Sequence, residues 1–316
     1  MNEKILFIPD VHLTSTAPIS RKETNAEYIQ VQYDKLKFCY DYCVKNGINT
    51  IIYEGDIFNN STSLEFSQLS DFISLVSSYK DKINSYSIVG NHDLYYRNME
   101  SNKTLLHLLF STEIIKPLTQ LEFDTFRIIG VDYNKPIPAI KNNDKYNICV
   151  AHCFYENDFF GGTGDTNLTE EKATLLGYDS YVLGHDHTYY EPLNKNNYWI
   201  FRSGSLLRGT SKTDNLYRGI KVMEYNSQDN TWKEVEVPCK KGEDVFLEKR
   251  IIEKQQKSIN LDNIISNLYS NKSNDIYEVI DNNEEEGKKI LKDKYESTLK
   301  LITEYLESFG MYRIKE

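Results

Sequence analysis

The chain has 316 residues, 40% of them hydrophobic, enough for one large domain plus a small one around a sizeable core. Its 37 basic and 47 acidic side chains give a net charge of -10, which excludes a uniformly basic nucleic-acid coat and confines any phosphate binding to a local patch. No apolar run approaches the ~18 residues of a membrane span, and the opening residues read as a strand, so neither a membrane segment nor a secretory leader is expected.

Ile5–Ile8 is an apolar run that stops at Pro9-Asp10-Val11-His12. A polar loop, 14–24, leads into apolar positions at helical spacing (Ile29, Tyr33, Leu36, Cys39, Cys43). Asn46-Gly47 then supplies a left-handed stop, so 25–46 is expected to be helical. The strand Thr50–Tyr53 runs into Glu54-Gly55-Asp56, a helix follows near 62–79, and the strand Tyr86–Val89 runs into Gly90-Asn91-His92-Asp93 before a helix near 101–111. Strand, helix, strand with short connections predicts β-α-β layers, in which ligands bind at the carboxyl ends of the strands. Asn147–Val150 ends at Ala151-His152, and Tyr181–Leu183 ends at Gly184-His185-Asp186-His187. Residues 121–133 and 198–237 carry strand patterns, with period-two alternation in Lys233–Val237, which predicts a second, largely antiparallel sheet.

Pro238–Gly242 reads as a linker, so domains are expected at 1–238 and 239–316. The second shows a strand-like 245–252, a helix near 260–270, a strand at 276–280 and a helix over 284–309 striped by Leu291, Tyr295, Thr298, Ile302, Tyr305 and Phe309. The five cysteines, Cys39, Cys43, Cys149, Cys153 and Cys239, form no CxxC pair, which suits small hydrophobes in a reduced, intracellular, cytoplasmic protein.

Five of the six histidines, His12, His92, His152, His185 and His187, stand at strand ends beside Asp10, Asp56 and Asn91; His107, among leucines, reads as structural. Carboxylates, imidazoles and an amide without cysteine suit Mn²⁺, Fe²⁺ or Zn²⁺. Two divalent ions ~3.5–4 Å apart polarise a phosphoryl group and activate a water. Their mutual repulsion requires a bridging anion, which one aspartate can supply. Each pair of residues alone is a weak signal. The ordered set DxH, GD, GNHD, H, GHxH, each after a hydrophobic strand, is a strong one.

That set resembles the calcineurin-like metallophosphoesterase family, over residues 4 to about 220. The resemblance implies an α/β fold: a four-layer α/β/β/α sandwich with a small C-terminal α+β cap. It implies a first ion held by Asp10, His12, Asp56 and His187, and a second held by Asp56 as the bridge, Asn91, His152 and His185. His92 matches the family's histidine that contacts the scissile phosphate and acts as general acid. Asp93 either orients His92 or stabilises its own turn.

Within the family, Asp10-Val-His-Leu13, Gly55-Asp-Ile-Phe-Asn59 and GNHD resemble the SbcD-type DNA repair nucleases, relatives of the eukaryotic double-strand-break nuclease. This implies a DNA exo- and endonuclease for repair and recombination. It implies two divalent ions, Mn²⁺ ahead of Mg²⁺, Fe²⁺ or Zn²⁺, and an SbcC-type SMC-like ATPase partner. Cyclic-nucleotide phosphodiesterases share GNHD and GHxH, so a cyclic-nucleotide or small-phosphoester hydrolase is the alternative.

Arg202-Ser-Gly-Ser-Leu-Leu-Arg208 resembles the Gly-Ser segment after GHxH in SbcD-type proteins. In 202–221, Arg202, Arg208, Lys212, Arg218 and Lys221 face Asp214 alone, a local place for a DNA backbone. Arg202, Ser205, Arg208 and Asn59 are therefore the expected substrate contacts. Many members carry a histidine where Asn59 stands, and asparagine cannot shuttle protons, which leaves the balance of exo- and endonuclease action open. Larger relatives dock the ATPase through a further helical segment. Here 284–309 is the candidate, with packing on the cap's own strands as the other reading. The helices at 62–79 and 101–111 match the region where relatives form homodimers.

Overall fold

The computed structural model describes residues 3–247 except 97, 99–101, 142–143, 156–167, 196 and 211–212. Contacts divide the chain into Met1–Leu247 and Glu248–Glu316. The expected cap elements from 248 onward, the 284–309 helix among them, lie outside the described residues.

Strand β1 (Lys4–Ile8) buries both faces: Ile5 and Phe7 join one hydrophobic cluster, Leu6 and Ile8 another. This is the period-two consequence of a sheet covered on both sides. Beside it lie the parallel strands β2 (Thr50–Tyr53), β3 (Asn84–Ser87) and β4 (Lys116–Pro117). On its other side is the antiparallel hairpin of β11 (Ile220–Asn226) and β12 (Thr231–Val237). A second six-stranded sheet has the order β5 (Gln120–Glu122), β6 (Phe126–Val131), β7 (Tyr146–His152), β8 (Ser180–Gly184), β10 (Tyr198–Arg202), β9 (Tyr190–Lys195).

Between the sheets, Ile5, Phe7 and Ile52 of the first meet Phe126, Ile148, Val150 and Val182 of the second. Helices α1 (Asn25–Asn46), α2 (Phe66–Ser78) and α3 (Leu105–Ser111) cover the first sheet's outer face through Leu36, Tyr40, Leu69, Phe72 and Leu109. Helix α4 (Glu170–Leu176) covers the second through Ala173. The layers are therefore α/β/β/α. Two short helices, α5 (Thr213–Tyr217) and α6 (Gly242–Val245), flank the hairpin. Helix α1 starts at a Thr24–Glu27 capping box and, as its sequence predicts, stops at Gly47, φ 67°.

Two expectations are corrected. The second sheet is largely parallel, not antiparallel: β6, β7, β8 and β10 run the same way, with β5 and β9 as antiparallel edges. β8 is buried throughout and β7 in all but its first residue, so neither alternates. The alternating stretch Lys233–Val237 is instead an edge strand of the first sheet, buried on one face. Secondly, a helical turn, α6, occupies Gly242–Val245, from the end of the expected linker to the first residue of the expected strand. Phe246 then pairs with Arg21, and the rest of that strand from 248 lies outside the described residues. All five cysteines are free, and Cys239 is the exposed one. No described helix is long and apolar enough to cross a membrane.

Candidate metal centre

The carboxyl ends of β1, β2 and β3 lead to Asp10, Asp56 and Asn91-His92, and those of β7 and β8 to His152 and His185-His187. One sheet thus supplies the acids and the amide, the other three of the imidazoles. The loops are tied together by backbone. Val11 and His12 donate to Asp56 O at 3.1 and 2.9 Å, and Leu206 donates to Asp10 O at 2.9 Å. His12, Asp56 and His185 have φ of 52°, 49° and 90°, the left-handed region. Such backbone costs of order 1 kcal/mol per residue and is kept where the surroundings enforce it. Here it turns three donors inward. Close approach explains two glycines: a Cβ on Gly55 would lie 2.7 Å from His152 Nδ1, and one on Gly90 would overlap the Asp56 carboxylate.

Asp10, His12, Asp56 and His187 offer ligand atoms all within 4.8 Å of one another, and so do Asp56, His152 and His185. Asp56 is common to both groups. His12 Nε2 lies 2.8 Å from His187 Nε2 and 3.5 Å from Asp56 Oδ2, and His187 Nε2 lies 3.4 Å from Asp10 Oδ2. His152 Nδ1 lies 2.8 Å from the Glu54 carbonyl, which can only accept, so Nδ1 carries the proton. Its Nε2 then faces Asn91 Oδ1 at 3.0 Å and Asp56 Oδ2 at 3.4 Å. Several lone pairs converge with little between them, and the buried Asp56 Oδ2 makes no hydrogen bond among the described residues.

The electrostatics carry the same message. Burial, then the charge of Asp56, pushes Asp10 up to about 8 against the pull of His152. Burial works against a charged His152, yet Asp56 and Asp10 push it up to about 10. Burial would raise Asp56, but His152 and His12 carry it below the usual carboxylate range. Burial pushes His12 down to about 3. A positive charge is favoured where these groups meet, and divalent cations can supply it. The all-oxygen-and-nitrogen donor set fits such ions.

His92 is exposed, and its Nδ1 lies 2.8 Å from the Asn59 carbonyl. That carbonyl fixes the Nδ1 proton and leaves Nε2 available. Asp93 does not orient His92. Its carboxylate accepts from Gly90 N at 3.0 Å and Phe58 N at 3.3 Å, so it holds the turn.

The expected substrate contacts fare unevenly. Arg202 is half-buried, its guanidinium 3.7 Å over the Tyr190 ring, and the Asn59 side chain is exposed. Ser205 is buried, pairs through its backbone with Asp10 and turns its hydroxyl to Leu207 O at 2.9 Å. Arg208 is corrected as an open, direct contact. It is 2% exposed, and its guanidinium donates to the carbonyls of Asn215, Arg218 and Lys240. Arg218 is buried too, and Lys221 is bonded to Glu234 at 2.7 Å, so the basic stretch is not an open strip.

Sequence reasoning missed Tyr133 and Phe154, whose rings lie 5.5 and 4.2 Å from that of His185. Tyr133 follows β6 as the other site residues follow their strands, a signal that was there to read. It also missed Glu54, fully buried beside the centre, which gives away nothing in sequence.

Exonuclease subunit 1 of Enterobacteria phage T4 is 29% identical over 202 residues, covering 60% of this chain and 57% of that protein. The chain thus matches little more than half of that relative's length. The solved 5'-nucleotidase precursor from Thermus thermophilus aligns at TM-score 0.42 and 10% identity, over 85% of this chain and 60% of that one. A family model, calcineurin-like phosphoesterase, matches residues 3–189. That stretch runs from the first strand past the last strand-end histidine, and the chain belongs to the calcineurin-like phosphoesterases, enzymes that hydrolyse phosphoester bonds.

Proposed function

We propose that the chain is a DNA nuclease of the SbcD type, hydrolysing phosphodiester bonds with two divalent ions, Mn²⁺ first among the candidates. The observation that carries the reading is the membership of Asp56 in both donor groups, which suits it to bridge two ions. Similarity to a phage exonuclease subunit supports a nucleic acid as substrate and a role as one subunit among others. DNA and an SMC-like ATPase partner follow from the SbcD-type resemblance.

Asp10, His12, Asp56 and His187 would hold one ion, and Asp56, Asn91, His152 and His185 the other. When bound, the pair supplies Lewis acidity to the phosphoryl oxygens and acidifies a water. His92 keeps its Nδ1 proton on the Asn59 carbonyl. Its protonated Nε2 then donates to the departing sugar oxygen. Tyr133 and Phe154 pack on the imidazoles and shield that side from water.

A small-phosphoester hydrolase is the second reading, favoured by the inward turn of Arg208 and Arg218, which leaves less open positive surface for a duplex. End-labelled linear and hairpin DNA incubated with Mn²⁺, Mg²⁺ or chelator separates the two. Mn²⁺-dependent shortening supports the nuclease. Hydrolysis of bis-p-nitrophenyl phosphate or a cyclic nucleotide with intact DNA supports the second reading.

A further inference from the structure

Behind Ser205 the fold gathers positive charge in a chain whose net charge is -10. Arg21, Lys35, Arg208 and Arg218 are all buried. They surround one stretch of backbone: Lys35 Nζ donates to Leu206 O at 3.1 Å, Arg21 Nη1 to Arg208 O at 2.9 Å, and Arg218 Nη2 to Ser205 O at 3.1 Å. Arg21 has Glu23 as a carboxylate partner at 2.7 Å. Lys35 and Arg208 are bonded to carbonyl oxygens, which compensate a buried cation only in part. The crowding shows in Lys35, pushed down to about 7 by burial and then by Arg208 and Arg21. Arg208 Nε, buried, makes no hydrogen bond among the described residues.

Arg208 and Arg218 line a cavity of about 660 Å³, where Lys240 and Lys241 are exposed against Glu236 and Glu243. Val237, the last residue of β12, pairs with Ile220, the first of β11, and β11 runs antiparallel to β1. The strand ends that line the cavity, Ile220 and Val237, therefore lie at the same end of the sheet as Asp10, one and two strands along.

We propose that this cavity binds a phosphoryl group. Resting on the nuclease reading, the group is a backbone phosphate of the strand being cut, one or two nucleotides from the scissile bond. Buried guanidinium groups provide a fixed positive field, and the two exposed lysines provide the mobile contacts.

Cys239 lines the same cavity and is the exposed cysteine of the five. The test follows the rate at which an aromatic disulfide reagent modifies Cys239 in the full-length chain, stripped of divalent ions on a chelating resin so that nothing is hydrolysed. The probes are a short single-stranded oligonucleotide and inorganic pyrophosphate. Occlusion of the thiol is expected to slow modification by about tenfold. The double variant Lys240→Glu, Lys241→Glu should lose that protection while its circular dichroism stays unchanged. Protection by the oligonucleotide alone identifies a strand phosphate, and equal protection by pyrophosphate identifies a free phosphate. Unchanged rates with both probes, or protection undiminished in the double variant, overturn the site. Metal-dependent cleavage plays no part in this readout, so its failure and failure of the nuclease reading are told apart.

Discussion

The Asp56 carboxylate accepts the main-chain N–H of His92 through Oδ1 at 2.8 Å, while Oδ2 lies 3.5 Å from His12 Nε2 and 3.4 Å from His152 Nε2. One oxygen therefore positions the turn that carries the proposed acid, and the other faces both donor groups. In the proposed mechanism, acid and ions are linked through a single side chain.

Replacing Asp56 by Ala should therefore remove both ions and slow hydrolysis by about 10³-fold or more, since charge stabilisation at the phosphoryl group goes with them. Elemental analysis of the purified variant checks the first part. A metal content equal to the parent's would contradict the bridge.

His92→Ala is expected to separate the functions. The Asp56–His92 contact is made by backbone and survives the change, so bound metal should match the parent while turnover falls by about 10²–10⁴-fold. Asp93→Asn, by contrast, should act mainly on stability, because that carboxylate serves the Gly90 and Phe58 amides. Thermal melts beside initial rates would separate these effects, and a variant as slow as His92→Ala but unchanged in Tm would argue for a role in the chemistry.

Much of this centre is legible in the chain's punctuation. Hydrophobic strands that stop at Asp10, Asp56, Asn91, His152 and His185 predict one rim, and the structure has it. The left-handed backbone of His12, Asp56 and His185 is not legible, because it is imposed by neighbouring loops against local preference. Nor is the orientation of His92, set by a carbonyl that every residue type possesses. Arg208 misleads for a related reason. A guanidinium can cap three carbonyls as readily as it meets a phosphate, and composition cannot tell which. The direction of the second sheet was lost because β7 and β8, buried on both faces, carry no alternation to read.

Gly90→Ala should damage the centre without touching a ligand. Its Cβ would overlap the Asp56 carboxylate, and displacing that group is expected to weaken metal affinity by about 10–100-fold. A metal titration followed by activity measures it; unaltered affinity would mean that the loop yields.

Metal should also stabilise the fold. Ions that bind only the native chain add ~2.7 kcal/mol per site at a free concentration one hundred times the dissociation constant. Adding Mn²⁺ to the stripped protein should raise Tm by several degrees, and Asp56→Ala should abolish the rise.

Lys35 gives a pH signature away from the centre. Its ammonium is pushed down to about 7 from 10.5, by burial first and then by Arg208 and Arg21. Between those values the unfolded chain binds the extra proton, so stability should rise with pH across that window by a few kcal/mol, about 1.4 per unit of displacement at most. Denaturant melts of Lys35→Met and parent, compared at pH 7 and pH 9.5, test this. The parent should gain on the variant's change, and parallel curves would mean that Lys35 is charged throughout.

The second sheet is drawn from one continuous stretch, 120–202, whereas the first is assembled from residues 4–117 and 220–237. A ribosome thus releases Asp10, Asp56 and Asn91 long before the histidines that complete their cage, and releases β11 and β12 last. On the two-ion reading, the ions can load only late in the protein's biogenesis. A nascent chain halted before His187 would already carry Asp10, Asp56 and His92 and is still expected to be inert.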